Sequence, residues 1–218
     1  MTERVVIVAG GSPDLWPEVE GYRKGTTVWI GIDRGAYYLL ERGILPTMAV
    51  GDFDSLSASQ LEAVEAVVAD IHYALPEKDD TDTQLGLALA LKHYPEAEIM
   101  LIGATGGRLD HFLSNLWLPF EPRFQRHLRR IKLVDQQNTI SYYLPGEYQI
   151  EKEPDKTYLA YVCLTAVAKL TLYDAKYQLT EHNSEVPMSF ASNEFIGDTS
   201  RFSFESGLMA VIQSKDLT

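Results

Sequence analysis

The apolar positions of this chain follow two patterns, and the change comes near residue 139. In the first part, short continuous apolar runs alternate with segments whose apolar residues recur at helical spacing. Val5-Val6-Ile7-Val8-Ala9, Val28-Trp29-Ile30-Gly31-Ile32, Met48-Ala49-Val50, residues 71–75, Ile99-Met100-Leu101-Ile102 and Ile131-Lys132-Leu133-Val134 read as strands. A helix after Asp33 brings Ala36, Leu39 and Leu40 to one side. A second helix covers 57–69, opened by Ser57 and Gln60 at the spacing of a capping box. Further helices are expected over 82–94 and about 109–117. Strands that are apolar along their whole length and separated by helices predict a parallel sheet covered on both faces. Ligands bind such sheets at the carboxyl ends of the strands.

Beyond residue 139 the helical period disappears. Segments 139–144, 147–150, 158–164, 169–173, 201–205 and 208–212 are short and rich in β-branched and aromatic residues. Pro145-Gly146, Glu181-His182-Asn183-Ser184 and Ser206-Gly207 read as the turns between them. The expectation is an α/β plus all-β chain. A mostly parallel α/β domain occupies 1–138, and a small β-sandwich domain occupies 139–218.

Charge narrows the function. Nineteen basic against 31 acidic residues leave a net charge of −12, which excludes a sequence-independent grip on nucleic acid. The balance suits a cationic substrate, or an anion that arrives with its own metal. Cys163 is the single cysteine, so an intrachain disulfide is impossible; between Val162 and Leu164 it reads as a buried strand thiol. The N-terminus enters a strand at once without signal-peptide architecture, and no apolar run is long enough to span a bilayer. A soluble cytoplasmic protein is expected.

Three polar clusters follow strands. In Gly51-Asp52-Phe53-Asp54-Ser55, a continued extended chain would aim both carboxylates into one space and turn Phe53 to the core. Paired carboxylates repel unless a cation or a proton intervenes, and Mg²⁺ accepts one or two of them while phosphate and water complete its shell. A surface turn is the plainer alternative. The second cluster is Glu77-Lys78-Asp79-Asp80-Thr81-Asp82-Thr83, with Asp80 or Thr81 as a helix N-cap. Its carboxylates exceed what a cap needs, which makes Asp82 a third metal-side candidate and directs Asp79 to the nucleotide or a metal-bound water; helix capping alone is the plainer alternative. The third cluster is Gly103-Ala104-Thr105-Gly106-Gly107-Arg108-Leu109-Asp110-His111. Glycine N–H groups at a helix start, with the planar fork of Arg108, suit phosphate; an Arg108–Asp110 surface ion pair is the alternative. His111 and Asn115 share a helical face. Gly10-Gly11 and Asp33-Arg34-Gly35-Ala36 serve a turn and a helix cap as readily as they serve a nucleotide.

The four motifs Asp33-Arg34-Gly35-Ala36, Gly51-Asp52-Phe53-Asp54-Ser55, Lys78-Asp79-Asp80-Thr81-Asp82 and Gly106-Gly107-Arg108-Leu109-Asp110-His111, in this order, resemble thiamine pyrophosphokinase (thiamine diphosphokinase). Ala191-Ser192-Asn193-Glu194-Phe195 and the Ser206-Gly207 hairpin resemble that family's thiamine-binding domain. The resemblance implies a transferase that moves the diphosphate of ATP to the hydroxyl of thiamine, giving AMP and thiamine diphosphate. It also implies Mg²⁺, and a homodimer with thiamine at the subunit interface. Asp52, Asp54 and Asp82 would be the catalytic and metal carboxylates. Asp33, Arg34, Gly35, Asp79, Thr81, Thr105, Gly106, Gly107, Arg108, Asp110 and His111 would bind ATP, and Ser55, Ser192 and Asn193 thiamine. Asp174-Ala175-Lys176-Tyr177 departs from the family's Gly-Leu-Lys-Tyr-like strand. Phe190, Phe195 and Tyr177 are the candidates to stack on the pyrimidine. Another Mg²⁺-dependent nucleotide transferase and a catalytically silent nucleotide or thiamine sensor are the competing readings.

Overall fold

The first apolar run becomes β1 (Arg4–Val8), in which Val5, Val6, Ile7 and Val8 are all fully buried. The structure, a computed structural model, describes residues 4–74 and 80–217 and divides into the units Met1–Gln136 and Gln137–Thr218. Along the N-terminal unit follow β2 (Thr27–Ile32), α1 (Arg34–Glu41), β3 (Met48–Gly51), α2 (Ala58–Glu65) and β4 (Ile71–Tyr73). Then come α3 (Asp82–His93), β5 (Glu98–Ile102), α4 (Leu109–Leu116), α5 (Pro122–Gln125) and β6 (Ile131–Val134). The strands lie in the order β6-β5-β1-β2-β3-β4, and every neighbouring pair is parallel. The chain runs outward from β1 to β4 and returns through α3 to place β5 on the other side of β1. That reversal is the switch point at which parallel sheets open a ligand crevice.

Apolar side chains bury against both faces of the sheet. Trp16, Trp29, Leu39 and Ile44 pack with Val6, Val8, Ile102 and Val134, while Ala36, Phe53, Val64 and Val68 pack with Ala49. Ser57 caps α2 through the expected box with Gln60. The helix closes at Glu65, short of residue 69. Val67 N turns tightly to the Val64 carbonyl at 3.2 Å, and this turn delivers Val68 to the core. Among the described residues no helix is long and apolar enough to cross a membrane.

The C-terminal unit is a β-sandwich built from β7 (Asn138–Tyr143), β8 (Gly146–Glu151), β9 (Tyr158–Cys163), β10 (Val167–Leu172), β11 (Leu179–Ser184), β12 (Met188–Asn193), β13 (Thr199–Phe204) and β14 (Met209–Ser214). One layer runs β12-β9-β14-β7 and the other β11-β10-β13-β8, all antiparallel. Tyr143, Tyr161, Leu170, Phe202, Met209 and the Cys163 thiol fill the space between the layers. The segment Glu181-His182-Asn183-Ser184, expected as a turn, is instead the end of β11. Its turn-forming residues serve register irregularities in the pairing with β10. Glu181 and Lys169 take positive φ angles of 47° and 52°. Asn183 Oδ1 accepts from Lys169 N at 3.0 Å, and Thr171 Oγ1 accepts from Glu181 N at 3.1 Å. Side-chain acceptors take over where backbone pairing slips, so a polar strand survives.

Candidate active site

A cleft of about 610 Å³ opens where β1, β2, β3 and β5 end and α3 and α4 begin. Its floor is main chain. Gly11 N donates to the Gly103 carbonyl at 2.9 Å, and Ala9 N to the Ile102 carbonyl at 2.9 Å. A Cβ on Gly11 would collide with the Gly103 carbonyl, and one on Gly103 would lie 2.6 Å from the Ala9 carbonyl oxygen. Only glycine lets the loops after β1 and β5 close this far. Gly10, Gly11 and Ser12 all line the cleft, so Gly10-Gly11 is both tight turn and wall.

The acidic wall comes from the ends of β2 and β3. Asp52, Asp54 and Ser55 line the cleft, while Phe53 is 2% exposed and packs edge-on to Tyr73 at a centroid distance of 5.5 Å. The carboxylates do not share the space by strand alternation, as the sequence implied. The strand stops at Gly51, Phe53 has φ 58°, and Asp54 N donates to Asp52 Oδ1 at 3.0 Å. A local turn, closed by one carboxylate, therefore sets the spacing. Arg34 Nε donates to the Ser55 carbonyl at 3.1 Å and ties this turn to the start of α1.

Asp33 occupies the N-cap position of α1 without capping it. Its φ is 46°, and Oδ1 accepts from Phe53 N at 3.2 Å instead. A Cβ at Gly51 would strike the same carboxylate, so glycine there makes room for it. Burial, then the negative field of Asp82, raises the Asp33 pKa from 3.8 to about 7, with smaller contributions from Asp52 and Asp54. The raised value has a definite sign in stability. The native state holds an extra proton that the unfolded chain has lost, so Asp33's contribution is whole below about 4 and disappears as pH rises through about 7. In chelator, Asp33→Asn is expected to gain thermal stability relative to the parent progressively across that window. The Asn Oδ1 can still accept from Phe53 N. A parent-to-variant gap in Tm that stays constant with pH would refute the assignment.

The third side of the cleft is the first turn of α3. Thr81, not Asp80, is the N-cap; its hydroxyl accepts from Gln84 N at 3.2 Å and its own N donates to Gln84 Oε1 at 2.6 Å. Thr81, Asp82 and Thr83 all line the cleft. Among the described residues no three His, Cys, Asp or Glu side chains are already drawn into a metal-binding set. Asp52, Asp54 and Asp82 all line the same cleft. Asp79 lies outside the described residues.

The fourth side carries the basic and amide groups. Gly106, Gly107, Arg108, His111 and Asn115 line it, and the shared face of His111 and Asn115 is borne by α4 as expected. Asn115 is buried, with Nδ2 donating to the Ala104 carbonyl at 2.9 Å, which pins α4 to the loop after β5. Arg108 forms both its cleft wall and the surface pair: Nε and Nη2 reach Asp110 at 3.2 and 2.6 Å. Asp110 lowers its own pKa through that bond and does not line the cleft. Thr105 and Gly35 are also outside the lining. Thr105 Oγ1 donates to Asp135 Oδ2 at 2.6 Å in a buried pair, and Gly35 packs against the Val8 carbonyl. Ser12 and Thr83 were missed; they are ordinary turn and helix-start residues whose sequence carries no separate signal.

In the β-sandwich unit, Ser192 is exposed and strained at φ 59°. Asn193 is 2% exposed and spends its amide internally. Nδ2 donates to the Tyr177 carbonyl at 2.8 Å, while Oδ1 accepts from Tyr177 N and Glu194 N, each at 2.9 Å. These bonds tie Asn193 to the 174–177 segment. In that segment Asp174 holds Arg201, and Ala175 bridges to Phe195. Phe190 and Phe195 pack against the sandwich core, whereas Tyr177 is 60% exposed.

Comparison with known proteins finds matches to both units. The family profile described as thiamin pyrophosphokinase, catalytic domain, matches residues 19–132, and that described as thiamin pyrophosphokinase, vitamin B1 binding domain, matches 147–209. The thiamine pyrophosphokinase of Bacillus subtilis (strain 168) is 39% identical over 212 residues, covering 96% of this chain and 98% of its own. The crystal structure of a thiamin pyrophosphokinase family protein from Enterococcus faecalis superimposes with a TM-score of 0.95 at 54% identity, over 99% of this chain and 100% of that one. Yeast thiamin pyrophosphokinase shares the fold, with a TM-score of 0.78 at 16% identity over 98% of this chain and 86% of its own. The chain belongs to the thiamin pyrophosphokinase family.

Proposed function

We propose that the chain transfers the β,γ-diphosphoryl group of ATP to the hydroxyethyl oxygen of thiamine, giving AMP and thiamine diphosphate. The observation that carries this reading is the cleft itself. It has a main-chain glycine floor, Arg34 and Arg108 on its walls, and Asp33, Asp52, Asp54 and Asp82 in one acidic sector. The N–H groups of Gly106 and Gly107, together with Arg108, suit the phosphates. The alcohol attacks the β-phosphorus, the bond from that phosphorus to the α,β-bridging oxygen breaks, and AMP leaves with the bridging oxygen. Asp54 or Asp82 accepts the hydroxyl proton. The same carboxylates attract thiamine's thiazolium, a permanent cation, so the acidity of the site serves the second substrate as well.

The donor set fits Mg²⁺. Carboxylate oxygens of Asp52, Asp54 and Asp82 face one cleft, and their negative field adds to burial in raising the pKa of Asp33 beside them; such crowding is what a hard cation relieves. Asp52, Asp54 and Asp82 would hold it. Bound there, the metal supplies positive charge to the β-phosphoryl oxygens. The protein's own part is to orient the two substrates in line and exclude other acceptors. On this reading the active form is a homodimer with thiamine at the subunit interface, near Ser55 of one copy and Ser192 of the other.

The test is AMP formation from ATP and Mg²⁺, with and without thiamine, the organic product being identified by mass. Thiamine-dependent AMP with thiamine diphosphate is expected. ADP with thiamine monophosphate would overturn diphosphoryl transfer. Binding of both ligands without AMP would make the chain a sensor.

A further inference from the structure

Arg123 lies on α5, outside the cleft lining, and has no part in the chemistry above. Its guanidinium bridges two carboxylates. Nη1 and Nη2 donate to Asp80 Oδ2 and Oδ1 at 2.8 and 2.7 Å, and Nε donates to Glu121 Oε2 at 2.7 Å. The other Glu121 oxygen accepts from the Gln84 side-chain amide. Gln84 in turn closes the capping box with Thr81. Asp80 and Thr81 are chain neighbours, so these bonds form a closed ring around the N-terminus of α3. The same turn delivers Thr81, Asp82 and Thr83 to the cleft.

A helix start needs such a clamp here for two reasons. Its first N–H groups have no partners within the helix and the end frays unless they are held. It also carries Asp80 and Asp82 on either side of its cap, with Asp82 facing the acidic cleft, so repulsion acts to open it. Arg123 counters both. It neutralises Asp80 with a bidentate fork and orients Glu121, whose remaining oxygen steers Gln84. The Asp80 and Glu121 carboxylates, hydrogen-bonded by this guanidinium, hold its pKa well above the usual arginine range.

We infer that Arg123 is a positioning residue for the transfer reaction: with Asp80 and Glu121 it clamps the first turn of α3 and so keeps Asp82 in the cleft. The inference rests on the diphosphokinase reading and on Asp82 as a metal-side carboxylate. A support one layer behind a metal carboxylate is worth about 10- to 100-fold in metal affinity or activity. A purely structural ion pair would lower stability and leave the kinetics of the folded enzyme unchanged.

The experiment compares the parent with Arg123→Ala, Arg123→Lys and Asp80→Asn. It measures kcat, thiamine KM, the Mg²⁺ concentration for half-maximal rate, and amide hydrogen exchange. Arg123→Ala is expected to lower kcat about tenfold or more and to raise the Mg²⁺ requirement, with thiamine KM unchanged. Exchange should accelerate at residues 81–85 and not across the unit. Arg123→Lys should recover part of the loss, because it keeps the charge without the fork. Should Arg123→Ala fail to fold, Lys and Asp80→Asn carry the same test at nearly constant volume. Folded variants with parental kcat and Mg²⁺ dependence overturn the proposal, whatever their Tm. An inactive parent sinks the diphosphokinase reading instead. The exchange pattern then decides the clamp, and unchanged protection at 81–85 in Arg123→Ala overturns it.

Discussion

Asp54→Asn should lower turnover by about 10²- to 10³-fold, the usual loss when one preorganised electrostatic group at a reacting centre is removed. The substitution is chosen because it changes charge and almost nothing else. Asp54 is exposed at the cleft, its backbone N–H is held by Asp52 Oδ1, and neither that bond nor the Ser57 cap of α2 involves the Asp54 carboxylate. The fold therefore stays, and circular dichroism and Tm should match the parent. The amide is neutral and weak as a ligand for a hard cation, so the Mg²⁺ dependence should shift along with kcat. A variant that turns over like its parent removes Asp54 from the site and leaves the acidic sector to Asp52 and Asp82.

The largest effect on stability is expected at the centre of the sandwich. Phe202 is fully buried and lies within 5.0 Å of the Tyr143 ring centre, 5.1 Å of Tyr161 and 5.4 Å of Tyr148, with Phe204 stacked at 6.3 Å. Truncation to alanine removes the one ring that all four share, and the rigid aromatics around it cannot collapse into the hole. Phe202→Ala should cost about 3–5 kcal/mol. Urea unfolding followed by far-ultraviolet circular dichroism measures it. All three tryptophans, Trp16, Trp29 and Trp117, belong to the N-terminal unit, so their fluorescence follows that unit separately. A shift corresponding to less than about 1 kcal/mol would mean that the cluster tolerates the cavity, against the expectation for a packed aromatic core.

What could be read from the sequence depended on how local the signal was. The strands of the parallel sheet announced themselves because burial on both faces leaves uninterrupted apolar runs. The α2 start was equally legible, since a capping box is written within four consecutive residues. β11 was missed because it holds its place with side-chain acceptors, so its Glu-His-Asn-Ser end looks like a turn by composition. Asp52 and Asp54 were found, but the reason for their common direction was not. It depends on a positive φ at Phe53, which no residue preference advertises. Asp33 looked like a helix cap, and its burial between α1 and the Phe53 turn appears only once β2 and β3 are side by side. The Arg123 ring joins residues 43 and 37 positions apart, and separations of that kind leave no trace in periodicity. Asn193 shows the converse: it belongs to a recognisable motif, but its bonds to Tyr177 join positions 16 apart and could not be read from that motif.

The glycine contact beneath the cleft also limits how this enzyme can be altered. Where Gly11 meets Gly103, the cleft surface is peptide backbone, and no substitution can add a side chain there without forcing the loops after β1 and β5 apart. Specificity engineering consequently has only the rim to work with. A library aimed at a new phosphate donor would spend its diversity well at Ser12, Thr83 and His111, and would collect mostly misfolded clones at the two glycines. The floor behaves as fixed hardware, while the surrounding side chains are the adjustable part.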